Sequence, residues 1–332
     1  MNTIPLIFNE RQIQRTVLGG SVTPLSDFSS SIAAILLNRS GNHYCARNIE
    51  NLFTCGFSEI IVVESSSKSY SLEDLSQRYP PVKFIVPLEE LTAGDMINIG
   101  ISEIKSPYAL VLWDDIKIAP PILSESLVRN IFGAERLCTV PFLQSSNLRS
   151  LPVKMDPVIE KNTFFARPAS VAGAKKTVYP FDFIGIYNKQ KFMQLGGYDY
   201  TIVSPYWQNL DFALRGWLWG EVFEFFSSFR ILYDGDPPAE DMTADCTQLR
   251  FFLKNCAPVF KSDCAYIPKL RYFDFLRRCP GGPFKAYALF ADACSWTYKN
   301  RFRFKTDIVR FTQNWKAESA NESAHIHGRI HT

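Results

Sequence analysis

"SPYALVLWDDIKIAP", residues 106–120, is the stretch that decides the fold. Its apolar run predicts a buried β-strand, and that strand leads directly into Asp114 and Asp115. A buried charge costs several kcal/mol unless it is paired or bound to a metal, so a purely structural role suits two adjacent carboxylates poorly. Open α/β sheets bind their ligands at the carboxyl ends of their strands. The stretch therefore predicts an α/β sheet with a binding site at Asp114 and Asp115.

The composition sets the size of the fold and the class of partner. The chain has 332 residues, of which 46% are hydrophobic, so it can bury a large core as one α/β domain or as one domain with an appendage. Its 36 basic and 33 acidic side chains give a formal net charge of +3. That balance does not favour nucleic-acid binding by bulk charge, and we expect no nucleic-acid partner.

The cysteines and the amino terminus indicate the compartment. Eight cysteines occur without a C-x-x-C pair, which is typical of reduced and mostly buried thiols. The first residues, "MNTIPLIFNERQIQR", place charges right after a very short apolar run, which is unlike a signal peptide. No window approaches the ~18 apolar residues of a membrane span. We expect a cytoplasmic protein, or one associated with the cytoplasmic face of a membrane.

Short β-rich runs alternate with helical patterns from about residue 31. Near-continuous apolar strands separated by helices predict a mainly parallel sheet with helices on both faces, a Rossmann-like arrangement. The predicted strands of this sheet begin near Ile32, Ile60, Phe84, Ala109 and Thr139.

The pattern also predicts the organisation of the chain. A domain of catalytic type is expected over 31–238, after an N-terminal extension over 1–30. Within it, residues 142–178 scatter Pro, Ser and Lys without periodicity, which favours a long loop or insertion. A helical, basic and aromatic region is expected over 239–316, and a disordered tail over 317–332.

Four motifs follow one another in a recognisable order. They are "IIVVESSS" at 60–67, "LWDDIKI" at 112–118, "GGYD" at 196–199 and "QNLDFALRG" at 208–216, the last expected on a helix that begins near Asn209. Their order resembles that of the GT-A glycosyltransferases, in particular the family 2 type and the relatives that add N-acetylgalactosamine to polypeptides. The resemblance covers roughly residues 31–235 and implies a GT-A fold with a C-terminal helical extension.

The resemblance assigns a nucleotide-sugar donor to the first two motifs. Glu64 stands where the family has an acid that holds the uridine, and a carboxylate there can accept hydrogen bonds from uracil or ribose. Asn38, Arg39, Asp95 and Asp114 are further candidates for donor binding on the same ground. The alternative for Glu64 is a solvated acid at the end of a strand.

The metal site implied by the resemblance is incomplete. Asp115 matches the family's ligand for Mn²⁺ or Mg²⁺, which binds against the diphosphate of a UDP- or GDP-sugar. The family has an acid where this chain has Trp113, so one ligand is missing. Asp234 or Asp236, at the end of a later strand, could complete the site, although turn chemistry explains that segment equally well. The alternative is that Asp114 and Asp115 bind no metal and accept hydrogen bonds from amide groups of the loop.

The last two motifs concern the sugar and the acceptor. Gly196 and Gly197 permit a tight turn near a sugar, with Asp199 to accept hydroxyl hydrogen bonds, but a helix C-cap accounts for them nearly as well. Asn209 stands where inverting relatives place the catalytic base, and an amide cannot take a proton.

The base position leaves the stereochemical outcome open, because the polypeptide-modifying relatives carry a similar "ENLE" stretch and retain stereochemistry without that base. Asp211 matches a later catalytic-site acid of the family and is four residues from Arg215, with which we expect an intrahelical pair. Trp207, Trp217 and Trp219 are candidates for stacking on sugars, with a place in the core as the alternative.

Three functions fit these features. The first is transfer of a sugar from a UDP- or GDP-sugar to a hydroxyl of a glycan, a lipid-linked or a protein acceptor, with Mn²⁺ or Mg²⁺. The second, favoured by Trp113 and Asn209, is a catalytically degenerate nucleotide-sugar-binding or scaffold protein of the same fold. The third is peripheral membrane contact through 261–316, where Arg and Lys alternate with aromatic residues, although a basic helix face lying on the catalytic domain explains that pattern too.

Overall fold

The computed structural model describes most of the chain. The described residues are 11–20, 32–39, 46–64, 72–118, 122–160, 163–171 and 175–317. Nearly all of the tail predicted to be disordered, and much of the N-terminal extension, lie outside them. Two compact units are distinguished. The first unit comprises Met1–Val153, Pro180–Tyr200 and Glu224–Ala239, and the second comprises Lys154–Tyr179, Thr201–Phe223 and Glu240–Thr332.

Thirteen strands are found in the described residues. They are β1 Arg15–Gly19, β2 Ile32–Leu37, β3 Ile60–Val63, β4 Lys83–Pro87, β5 Tyr108–Trp113, β6 Ile116–Lys117, β7 Cys138–Gln144, β8 Met155–Glu160, β9 Thr163–Pro168, β10 Gly185–Asn188, β11 Phe223–Tyr233, β12 Val259–Lys261 and β13 Cys264–Tyr266. Nine of them form one sheet in the order β1-β4-β3-β2-β5-β10-β7-β11-β6.

The helices separate these strands along the chain. They are α1 Ala46–Thr54, α2 Leu72–Arg78, α3 Ala93–Glu103, α4 Glu125–Gly133, α5 Lys189–Leu195, α6 Pro205–Leu218, α7 Cys246–Phe251, α8 Arg271–Arg278 and α9 Gly282–Asn300. A 3₁₀ turn covers Phe181–Phe183, a π-helical turn covers Phe252–Cys256, and residues 308–317 are also helical.

The centre of the sheet is parallel, as the sequence predicts. Strands β4, β3, β2 and β5 are parallel neighbours, and every residue of β2, β3 and β5 is buried. Such strands are covered on both faces, which is why they read as continuous apolar runs. The fifth predicted strand, β7, belongs to the same sheet, but antiparallel β10 separates it from β5. The α/β fold class is confirmed.

Two predictions about local structure are corrected. Helix α6 begins at Pro205, four residues before the expected start, because proline is well tolerated in the first turn, where its missing N–H leaves no bond unmade. The segment 142–178 is not irregular throughout. It contains the hairpin β8–β9. Met155 and Pro157 alternate with less buried residues, as in a strand, but a proline argues against a strand in the sequence, so the sequence does not predict β8.

The second unit has its own aromatic and aliphatic core. Trp207, Trp217 and Trp219 are all buried, which supports the core alternative for these three side chains. The indole of Trp207 donates to the carbonyl of Thr243 at 2.9 Å, and that of Trp217 to the carbonyl of Val178 at 3.0 Å. Their polar atoms are therefore engaged inside the unit, as buried indoles require.

Two features of the described residues concern the membrane and the thiols, and the expectation of mostly buried cysteines is corrected, because Cys256, Cys264 and Cys294 are only partly buried. None of the helices in the described part of the chain is long and apolar enough to cross a membrane. The seven cysteines in the same residues are free thiols, with Cys55, Cys138 and Cys279 buried and Cys246 exposed.

Candidate active site at the carboxyl edge of the parallel strands

Five of the predicted site residues, Asn38, Arg39, Glu64, Asp114 and Asp115, lie at one edge of the first unit. Val63 and Trp113 are both in register with Leu37, so the residues that follow them emerge at the same edge of the sheet. Because β2 lies between β3 and β5, Glu64 and Asp115 are expected about 10 Å apart, two strand spacings of about 4.8 Å.

Glu64 is buried and oriented by a neighbour. Its relative exposure is 2%, and the side-chain amide of Asn38 donates to its Oε2 at 2.9 Å. Its other oxygen, Oε1, is buried and accepts no hydrogen bond from the described residues. Burial raises the pKa of Glu64 to about 7, with the Asn38 bond opposing the shift and Asp114 adding to it. Glu64 thus presents an unused acceptor at the sheet edge.

Asp115, which follows β5, resembles Glu64 in having a raised pKa and one buried oxygen without a hydrogen-bond donor among the described residues. One oxygen, Oδ2, lies 3.5 Å from Nε of Arg39, and the other, Oδ1, is buried without a hydrogen-bond donor among the described residues. Burial raises the pKa of Asp115 to about 6, although the charge of Arg39 opposes the shift. The adjacent Asp114 is held through its Oδ1, which accepts the backbone N–H of Arg39 at 3.2 Å.

Arg39 contacts several of the side chains at this edge. Its guanidinium binds both oxygens of Asp182 and lies 4.0 Å from the centre of the Trp113 ring. Burial alone would lower the pKa of Arg39, but the charges of Asp182 and Asp115 raise it, so the side chain stays charged. The guanidinium therefore partly neutralises the acids at this edge while leaving Asp115 Oδ1 open.

Asp182 and Tyr233 are site residues that the sequence analysis missed. The Tyr233 hydroxyl donates to Asp182 Oδ2 at 2.6 Å, and the indole N–H of Trp113 donates to the Asp182 carbonyl at 2.8 Å. Asp182 has φ 51°, a left-handed conformation that is uncommon outside glycine and tends to occur at functional sites. The available signal was a lone acid between Phe181 and Phe183, since a charge among buried rings needs a partner.

The donor set at Asp115 fits a divalent metal in part. Carboxylate oxygens are the ligands that Mg²⁺ prefers, and Asp115 Oδ1 is buried with no described partner. Among the described residues, however, no three His, Cys, Asp or Glu side chains are grouped as metal ligands. The backbone N–H of Asp234 donates to the Asp115 carbonyl at 2.8 Å, but the side chains of Asp234 and Asp236 are exposed. A metal would have to take its remaining ligands from a substrate and from water.

Asp95 and the two glycines have local structural partners. Asp95 forms the capping box of α3 with Thr92 and is paired with Arg11 at 2.9 Å, so its carboxylate is engaged at a helix start. Gly196 and Gly197, at φ 92° and 70°, end α5 through backbone bonds to the last turn. Such left-handed residues close helices, which supports the C-cap alternative for the glycine pair. Asp199, three residues after Gly196, is fully buried in the first unit.

Asn209 and Asp211 belong to the second unit, where Asp211 is enclosed. Asp211 accepts hydrogen bonds from Arg215 at 3.0 Å, Lys254 at 2.9 Å and Asn255 at 2.7 Å. The side chains of Asp211 and Arg215 have no exposed surface, and Asn209 is 1% exposed. The expected pair of Asp211 with Arg215 is present, and Lys254 makes it a buried triad. In this conformation a substrate does not reach the Asp211 carboxylate.

Comparisons with known proteins give a likeness of fold only. No known family profile matches the chain, and no curated protein matches it. It is similar to the crystal structure of GalNAc-T7 with UDP, GalNAc and Mn²⁺ at 13% identity and a TM-score of 0.46, over 68% of this chain and 48% of that chain. It is also similar to S. aureus TarS 1–349, at 12% identity and a TM-score of 0.46, over 86% and 91%.

The chain thus spans about half the length of the GalNAc-T7 structure. At these identities and scores the likeness says nothing about the activity of this chain, which has to be argued from its own residues. Its own central parallel strands place Glu64 directly after β3 and Asp115 after β5, at one edge of the sheet, as the sequence predicts.

Proposed function

We propose that the chain transfers a sugar from a nucleotide-sugar donor to an acceptor hydroxyl, with the donor bound at the carboxyl edge of β3, β2 and β5. The observation that carries this proposal is the pair of buried oxygens, Glu64 Oε1 and Asp115 Oδ1, which lack hydrogen-bond donors among the described residues. These two are the carboxylate oxygens among the buried side-chain atoms without a hydrogen-bond partner in the described residues, and a ligand bound at this edge would satisfy both.

The two oxygens suit the two ends of a UDP or GDP moiety. Glu64 would accept a hydrogen bond from a base N–H or a ribose hydroxyl, while Asn38 holds its other oxygen. At the other end, the diphosphate is an anion and would be repelled by Asp114 and Asp115 unless a cation lay between them. Arg39 supplies one positive charge there.

A divalent ion, Mn²⁺ or Mg²⁺, is the further cation we propose, held by Asp115 through Oδ1. When bound, such an ion stabilises the negative charge that develops on the leaving diphosphate. The residues of the chain have the remaining tasks. Arg39 keeps Asp115 oriented, Trp113 and Asp182 hold Arg39, and the buried surroundings strengthen each of these interactions.

The acceptor would approach the donor with a hydroxyl group. We propose a hydroxyl of a glycan, a lipid-linked or a protein acceptor. Its oxygen would attack the anomeric carbon as the bond to the diphosphate breaks, the diphosphate would leave with the bonding electrons, and the hydroxyl proton would pass to the leaving diphosphate or to water. Asp199, Asn209 and Asp211 stay candidates for sugar and acceptor contacts by family position. For Asp211 this role requires the buried triad to open, because its oxygens are engaged by Lys254, Arg215 and Asn255.

A second function has its own support. The enclosed Asp211 and the amide at Asn209 favour a nucleotide-sugar-binding protein without turnover. Release of free sugar from the donor, measured by single-turnover assay, separates the two: turnover supports the transferase, and binding without turnover supports the alternative.

A thermal-shift screen of UDP- and GDP-sugars with and without Mn²⁺ tests the proposed site. A donor present at about 100 times its dissociation constant should add about 2.7 kcal/mol of stability. Asp115→Asn should remove the Mn²⁺-dependent part of this effect, and Asp114→Asn should weaken it less. Glu125→Gln, an exposed change on α4, is the matched control. Equal nucleotide affinity in the wild type and Asp115→Asn would reject the assignment.

A further inference from the structure

The outer face of helix α9 is apolar although it is exposed. The inner face packs Ala286, Phe290 and Ala293 into the core of the second unit. The outer face consists of the exposed residues Phe284, Tyr287, Ala288, Ala291, Ser295 and Tyr298, which recur at three- and four-residue intervals. Phe284 is 90% exposed and Tyr287 is 66% exposed. A surface helix normally has charged or polar residues on this face, so the apolar outer face calls for a partner.

The neighbouring helix α8 continues this surface. Tyr272 contacts Tyr287 with ring centroids 6.3 Å apart, and it contacts Phe273 at 5.8 Å. Phe273 is 58% exposed. The hydroxyl of Tyr272 donates to the carbonyl of Pro283 at 3.2 Å, which ties the two helices together. We call these four rings, Tyr272, Phe273, Phe284 and Tyr287, the aromatic patch.

The aromatic patch lies within the most basic segment of the chain. Residues 269–305 contain nine Lys and Arg and two Asp and Glu, which leaves 27 basic and 31 acidic residues for the rest. The whole chain is +3, so the segment is +7 and the remainder is −4. Lys285, Lys299 and Asp292 border the outer face of α9, with Asp292 paired with Arg250, and Arg277 on α8 has a side chain that is 82% exposed. This asymmetry indicates an anionic partner.

We infer that α8 and α9 bind the surface of an anionic lipid bilayer, with the aromatic patch inserted among the headgroups and the surrounding bases on the lipid phosphates. Aromatic rings with an apolar body and a polar edge favour the membrane interface, and each base near an anionic surface adds attraction. The described helices include none that could span the bilayer, so the contact is made from one side.

The charge decides between a membrane and a second copy of this chain. A symmetric dimer would place the same face of both copies together, and so would bring two +7 segments into contact. Like charges at an interface are repulsive, whereas an anionic bilayer is complementary to the whole segment. This inference stands apart from the proposed sugar transfer and does not depend on it.

Flotation of the protein with lipid vesicles tests the inference. The protein should float with phosphatidylcholine vesicles that contain phosphatidylglycerol and should not float with phosphatidylcholine alone. Raising the salt from about 0.1 M to about 1 M should release it, because the screening length falls from about 10 Å to about 3 Å. Phe284→Ser combined with Tyr287→Ser should weaken binding on the order of tenfold for each ring removed.

Two further variants change exposed side chains only, so that a loss of binding cannot be caused by misfolding. Lys285→Gln and Arg277→Gln leave the packing of the unit unchanged and should each weaken binding about fivefold. Leu88→Ser and Lys105→Gln, exposed changes in the first unit, are the matched controls and should bind as the wild type does. The inference is overturned if the wild type does not float with anionic vesicles, if the double variant, Lys285→Gln and Arg277→Gln all bind as tightly as the wild type, or if light scattering shows a dimer that Phe284→Ser disrupts.

Discussion

The guanidinium of Arg39 lies 4.0 Å from the centre of the Trp113 ring, and the same guanidinium contacts Asp115 and Asp182. By the resemblance of its sequence motif, Trp113 stands where the GT-A glycosyltransferases have an acid. An indole cannot bind a metal, but its face attracts a guanidinium, by about 0.5–2 kcal/mol depending on exposure. The tryptophan therefore positions a cation at the place where the missing acid would have bound one.

Arg39→Lys tests this arrangement because lysine keeps the charge and loses the planar fork. A lysine cannot bind both oxygens of Asp182 and stack on Trp113 at once, so Asp115 should lose its orientation. We expect a fall in donor affinity of about tenfold, measured by calorimetry with Mn²⁺ present, which equals about 1.4 kcal/mol. Arg129→Lys on the exposed face of α4 is the control. Unchanged affinity in Arg39→Lys would show that only the charge matters.

Two substitutions at Trp113 separate its ring from its hydrogen bond. Trp113→Phe keeps an aromatic face under Arg39 and loses the bond to the Asp182 carbonyl, which should cost about 1 kcal/mol of unfolding free energy. Trp113→Ala removes the platform and leaves a cavity, with a cost of about 3–5 kcal/mol. Urea unfolding gives both values. Donor affinity should survive the first change and fall with the second, and equal affinity in the two variants would contradict the platform role.

Glu64 should make stability depend on pH in an identifiable window. Its ordinary pKa of 4.5 is raised to about 7 in the folded protein, so between these values the folded state holds a proton that the unfolded state has lost. The unfolding free energy should therefore fall as pH rises through this window, by about 3 kcal/mol in total, and then level off. Donor binding should change in the opposite sense, since the ionised carboxylate is the better acceptor.

Urea unfolding of the wild type and Glu64→Gln at several values from about pH 5 to about pH 8 measures this effect. Asp115 titrates in the same direction, so the difference between the two proteins isolates Glu64. Glu64→Gln should be the more stable protein above pH 7. Parallel curves for the two proteins would mean that Glu64 is already ionised when folded.

The sequence predicted those features of the fold that depend on the pattern of residues close together in the chain. The parallel strands are continuous apolar runs, and the acids directly after β3 and β5 must meet at one edge because the strands run in the same direction. The partner of Arg39 could not be read in this way. Asp182 is 143 residues further along the chain, and only the insertion of β10 beside β5 brings it to the site.

The partners of Asp211 include residues that are also distant from it in the sequence. Its pair with Arg215 follows from a spacing of four residues on one helix. Lys254 and Asn255 come from a π-helical turn, which the hydrophobic periodicity of the sequence does not predict. A carboxylate that seemed catalytic by family position is thereby enclosed. Local sequence patterns place such a residue on a helix face and do not tell what covers that face.

Asp211→Asn decides whether this carboxylate serves structure or catalysis. The change leaves Lys254 and Arg215 buried without their counter-charge, and breaking a buried ion pair in this way costs about 3–5 kcal/mol. A structural carboxylate predicts that loss in urea unfolding, with the activity of the remaining folded protein near that of the wild type. Asp292→Asn removes an exposed pair with Arg250 and should cost about 0–1 kcal/mol. If Asp211→Asn instead keeps its stability and loses sugar transfer, the triad opens during the reaction and Asp211 acts on the acceptor.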